Sequence, residues 1–146
     1  MSLDRKVAEA ALQDYLRCWA EDDRAGWLAL FAPDASIEDP VGAPLTVGPE
    51  AIAAFWDRIH QGDMVITCAL DRIVVCGDEA LMIFAVTTRG AGVSMEVRIA
   101  DLFTFNDEGK IATMRAFWDD RCMAMTSGLF RSSRMRPRSM TRRLFT

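Results

Sequence analysis

MEVRIADLFTFNDEGKIATMRAFW, residues 95–118, alternates side-chain character with a period of two on both sides of an Asn-Asp-Glu-Gly cluster. A strand turns successive side chains to opposite faces, and Asn/Asp/Gly clusters supply the backbone conformations of tight hairpins. Two antiparallel strands joined at 106–109 follow. Outward from this hairpin the same period runs back to Met64. It predicts four strands near 64–75, 78–89, 92–105 and 110–124, with Gly77-Asp78 and Gly90-Ala91-Gly92 as the other joints. Strands this closely joined form an antiparallel meander.

Upstream of Met64 the period is helical. Val7, Ala11, Tyr15, Cys18 and Trp19 recur on one face of a helix over 4–21. A short helix over 24–31 carries Trp27, Leu28, Leu30 and Phe31, and Pro33-Asp34 reads as a turn. Residues 35–38 read as a short strand that ends at Asp39-Pro40, where the proline keeps Asp39 out of helical geometry. A third helix runs from Pro49, a residue suited to a first turn, to His60. Helices first and sheet afterwards give an α+β fold in which the helices cover one sheet face.

Asp101 breaks the apolar pattern. It shares strand parity with Met95, Val97, Ile99, Phe103 and Phe105, so it points to the buried face, where an ionised carboxylate is costly unless paired or kept neutral. The cation on the same strand, Arg98, has the opposite parity. A functional role for Asp101 is the better reading. Tyr15, the only tyrosine, lies on the apolar face of the first helix, and Asp39 lies before a rigid turn. Taken singly, Tyr15 reads as core and Asp39 as a turn residue.

Composition excludes several function classes. With 146 residues, 51% of them hydrophobic, the chain holds one domain able to build a core without metal or disulfide staples. Its one histidine, His60, leaves no material for a zinc site or a Ser-His-Asp triad. Four scattered cysteines without CxxC spacing suggest free thiols and a cytoplasmic setting. No apolar run is long enough to span a membrane, and the N-terminus lacks a signal pattern. Residues 1–120 hold 10 Lys/Arg against 21 Asp/Glu, a net −11, whereas residues 121–146 hold seven Arg and no acid. The acidic body speaks against nucleic-acid binding. The expected organisation is a domain over 1–126 and an Arg-rich tail over 127–146 that adds little to function.

The three singular residues fit one pattern. FAPDASIEDPVGAPLTVGPEAIAAFW (31–56) and ADLFTFNDEGKIATMRAFW (100–118) resemble segments of the bacterial Δ5-3-ketosteroid isomerases, members of the NTF2-like (SnoaL-like) superfamily. The likeness covers roughly residues 5–124; its Glu-Asp-Pro-Val-Gly run is fairly specific, and its FNDEGKI hairpin is common to the superfamily. The resemblance implies a cone of three N-terminal helices packed on a strongly curved, mostly antiparallel sheet. It implies Asp39 as a proton-shuttling base, with Tyr15 and a protonated Asp101 as oxyanion donors; the neutral-acid arrangement is a known feature of ketosteroid isomerase. It further implies an apolar substrate, a steroid or another cyclic enone precursor, and no cofactor.

By the same likeness Met82, Phe84, Met114 and Trp118 line the substrate pocket. Phe31 and Trp56 stand where some members carry further tyrosines, and count here as substrate-binding positions. Val65 and Val97 share the parity of the lining and read as ordinary core. A SnoaL-like cyclase, dehydratase or epoxide hydrolase, and a non-catalytic NTF2-like binding module, are the other readings. Strands 78–89 and 110–124 carry apolar residues on both parities, Leu81 and Ile83 as well as Met82 and Phe84, which predicts a homodimer through the outer sheet faces.

Overall fold

The computed structural model describes residues 3–127. The Arg-rich tail lies outside the described residues, apart from Ser127. Three helices, α1 (Arg5–Glu21), α2 (Arg24–Leu28) and α3 (Pro49–Ile59), accompany seven strands: β1 (Phe31–Glu38), β2 (Thr46–Val47), β3 (Val65–Cys76), β4 (Glu79–Gly90), β5 (Val93–Phe105), β6 (Ile111–Phe117) and β7 (Met123–Ser127). Asp4 caps α1 by accepting from Lys6 N at 2.8 Å, and Asp23 caps α2 by accepting from Gly26 N at 3.0 Å. Pro49 opens α3 at its first turn, as the sequence predicts.

The sheet order is β2-β1-β6-β5-β4-β3, with β7 also paired to β5. The meander is present as β3-β4-β5-β6, antiparallel throughout. β1 joins it in parallel with β6. Helix α1 packs on β3 at one end of this sheet, α3 packs on β1 and β2 at the other, and α2 touches both helices. A flat sheet of that width would leave the helices apart. Register shifts at Leu70–Arg72, Thr104–Phe105 and Phe31–Ser36 bend the strands inward. The concave face buries Trp27, Trp56, Tyr15, Phe103, Leu12, Ile37, Ile52, Met82, Ile111 and Met114.

Several boundaries differ from the sequence reading. Helix α2 stops at Leu28 because Leu30 O accepts from Ile111 N at 2.8 Å, which delivers the chain to the sheet. β1 starts at Phe31, and Pro33 and Asp34 sit in its register shift instead of ending it in a turn. The segment expected as one strand over 110–124 is two strands. β6 ends at Phe117, a 3₁₀ turn over Asp120–Cys122 capped by Asp119 follows, and β7 then pairs with the first half of β5. Val65 is 57% exposed, so it is not core; Val97 is half-buried.

Candidate functional site

Tyr15 is carried by the apolar face of α1 into the centre of the concavity, with 1% of its surface exposed. Its ring meets Phe103 edge-on at 5.5 Å, Trp27 at 5.6 Å, Trp19 at 6.0 Å and Phe31 at 6.4 Å. Burial raises its phenol well above the ordinary tyrosine range, and the carboxylates of Asp101 and Asp39 raise it further. The Nε1 of the neighbouring Trp27 is buried without a hydrogen-bond partner.

Asp101 lies on β5 between Met82 of β4 and Ala116 of β6, and two residues from Phe103 on the same face. It is 2% exposed and is the one charged-type side chain among the buried described residues. Its Oδ1 is buried without a hydrogen-bond partner. Burial first, and the Asp39 charge second, hold its carboxyl well above the usual range, which favours the protonated form. Parity predicted this inward placement. Arg98 points the other way and pairs with Glu96 at 3.2 Å.

Asp39 follows the last residue of β1 and precedes Pro40 through a cis peptide. The turn is tied to the sheet by Val41 N donating to Ala116 O at 2.8 Å, and closed by Ala43 N donating to Pro40 O at 2.9 Å. Asp39 is half-buried, and Trp118 Nε1 donates to its Oδ1 at 2.6 Å. Burial raises this carboxyl above its ordinary value, and the Trp118 bond works against that rise. Asp39 opens on a cavity of about 500 Å³ whose wall includes Leu45, Phe55, Arg58, Ile59 and Trp118.

The residues expected around these three separate into groups. Met82, Phe84 and Met114 are buried on the concave face, with Met82 level with Asp101 and Met114 paired with Phe103. Phe31 belongs to the aromatic ring set around Tyr15. Trp56 stands one layer back, where it meets Trp27 at 5.2 Å and stacks on His60 at 3.6 Å. Trp118 is more than an apolar wall, since its indole holds Asp39. Sequence reasoning missed that bond and the part of Trp27 and Phe103 in enclosing Tyr15. Phe103 was findable, because it shares the parity of Asp101.

A buried carboxyl, in its protonated form, and a buried phenol can donate to an oxygen that gathers negative charge. A half-buried carboxylate nearby can move a proton. The fold has relatives. The chain belongs to the SnoaL-like family of NTF2-like proteins, whose domain matches residues 12–114. It is 40% identical to a steroid Delta-isomerase of Nocardioides simplex over 118 residues, 81% of this chain and 94% of the relative. Among solved structures, RV0760c from Mycobacterium tuberculosis has a TM-score of 0.74 at 31% identity, covering 85% of this chain and 99% of that one. That protein is also known in complex with estradiol-17beta-hemisuccinate. The Δ5-3-ketosteroid isomerase from Mycobacterium sp. has a TM-score of 0.73 at 27% identity, covering 86% of this chain and 100% of that one.

Proposed function

We propose that this protein is a cofactor-independent isomerase that moves a carbon–carbon double bond into conjugation with a ketone on a steroid or similar apolar polycyclic substrate. The observation that supports the reading is Asp101, a buried carboxyl with a raised pKa and an oxygen that has no hydrogen-bond partner, on the face where Tyr15 is also enclosed. The similarity to a steroid Delta-isomerase supports the same chemistry.

In this mechanism Asp39 takes a proton from the carbon between the ketone and the alkene. The electron pair passes through the carbonyl to its oxygen and forms a dienolate. Tyr15 and Asp101 donate their O–H groups to that oxygen in a water-poor setting, where preorganised donors act most strongly. Protonated Asp39 then returns the same proton two carbons farther on, so the substrate gains and loses nothing. Trp118 aims the carboxylate and holds it in place between the two transfers. Met82, Phe84, Phe31, Trp56 and Met114 form the apolar surround. The pairing of Arg98 with Glu96 on the opposite face speaks against an Asp-Arg-Asp epoxide hydrolase built on that arginine. We also propose that two copies associate through the outer face of the sheet.

The test is absorbance during incubation with 5-androstene-3,17-dione, whose isomerisation creates a conjugated enone and a strong ultraviolet band. A band that grows no faster than in the buffer control, with product that still binds, would mark the chain as a binding module and sink the isomerase reading.

A further inference from the structure

We infer that the cavity beside Asp39 accepts a polycyclic ligand bearing an acidic group remote from its ketone, and that Arg58 recognises that group; this deepens the isomerase reading and rests on it. The wall of this cavity is apolar through Pro44, Leu45, Phe55, Ile59 and Trp118, and Arg58 is its one cation. Arg58 lies in the last turn of α3, where any cation suits the helix end. Its guanidinium, however, turns back over the Phe55 ring, with Cζ 5.9 Å from the centroid, and so lies against the cavity wall.

The charge of Arg58 is not consumed within the described residues. The neighbouring Asp57 is taken by Arg24 through Nε at 2.9 Å and Nη2 at 3.1 Å. Asp39 shares the cavity, yet its carboxyl is governed by burial and Trp118, and Arg58 has no part in it. Depth sets the direction of a bound ligand. Tyr15 and Asp101 are enclosed, Asp39 is half-buried and Arg58 is exposed. A long rigid ligand that meets Asp39 from this cavity therefore leaves its outer end near Arg58. A guanidinium offers a planar donor fork that matches a carboxylate. The body carries a net −11 over residues 1–120, so without a local cation an acidic ligand is disfavoured.

The experiment is equilibrium binding of 3-oxochol-4-en-24-oate and of its methyl ester to the full chain, followed by tryptophan fluorescence. Both probes already hold the conjugated enone, so no turnover is needed. The acid is expected to bind about fivefold tighter than the ester at low salt, the upper range for an exposed pair. The gap should narrow as salt rises. Arg58→Gln should close it and Arg58→Lys keep part of it. Equal affinities in the unmodified protein, or a preference for acid that survives in Arg58→Gln, would overturn the inference. Its failure is separable from that of the isomerase reading. Turnover of the dione with no acid preference removes the Arg58 subsite alone. Acid preference with no turnover removes the isomerase and leaves the subsite.

Discussion

Asp101 tests the chemistry most directly, because two substitutions separate donation from charge. Asp101→Asn keeps an N–H near the oxyanion and should retain much of the turnover. Asp101→Leu removes the donor and should cost about 2.7–4 kcal/mol, roughly 10²–10³ in kcat. Asp39→Asn should be worse than either, since an amide cannot carry the proton. If Asp101→Asn is as inactive as Asp39→Asn while folded, Asp101 works as an anion and the neutral-donor mechanism fails. Stability should move oppositely. A buried acid with a raised pKa stabilises the fold fully only below the unfolded carboxylate value, about 3.9, and that stability is lost as pH rises toward the folded value. Asp101→Asn should therefore raise Tm at neutral pH and flatten its decline with pH, and an unchanged slope in melting curves would contradict the burial cause. At Asp39 the base must be ionised, so kcat/KM should fall as pH drops through its raised pKa. Trp118 lowers that value by favouring the ionised form. Trp118→Phe should shift the acidic limb of the profile to higher pH; a shift to lower pH would mean that the indole stabilises the neutral acid.

At the scale of elements, parity and period carried the site further than they carried the boundaries. The inward turn of Asp101 follows from period two alone, and the meander from the three glycine-bearing joints. The break between β6 and β7 was hidden because Met123 and Met125 continue an apolar alternation across it. Only the length of β5, whose halves take different partners, makes two strands necessary. The indole of Trp118 read as apolar lining because one donor on a large ring leaves no trace in hydrophobic patterning. Helix α2, only five residues long, depends on its cap. Asp23 accepts from Gly26 N and from Arg17 Nη2, both at 3.0 Å, and thereby seats Trp27 against Tyr15. A Cβ on Gly26 would collide with the Asp23 carboxylate. Gly26→Ala should thus lower Tm by a few degrees by displacing the cap, although alanine is the better helix former. A higher Tm in thermal melts would show that propensity outweighs the cap.

For the whole molecule, the concave face accounts for one set of apolar side chains and leaves a second set outside. Cross-strand register sets Val74, Leu81 and Leu102 in one row, and Ile83, Ala100 and Phe117 in the next. All six have parity opposite to the core. Leu81, Ile83, Ala100 and Leu102 are half-buried by their neighbours, while Val74 and Phe117 remain 38% and 43% exposed. The rows are bordered by Arg115, which pairs with Glu38 at 3.0 Å, and by the pair of Arg98 with Glu96. An apolar centre with a paired, charged rim is the composition of a protein–protein interface. A two-fold axis through the patch lets each copy offer the same surface. Light scattering at micromolar concentration should accordingly return the mass of two chains. Ile83→Lys, at the centre of the patch and outside the core, should return the mass of one chain, with the far-ultraviolet circular dichroism spectrum unchanged. If the unmodified protein scatters as a single chain, the outer face is not a dimer surface. If Ile83→Lys stays dimeric, association runs through another face, because a buried lysine without a partner costs too much to be accommodated at the centre of this one.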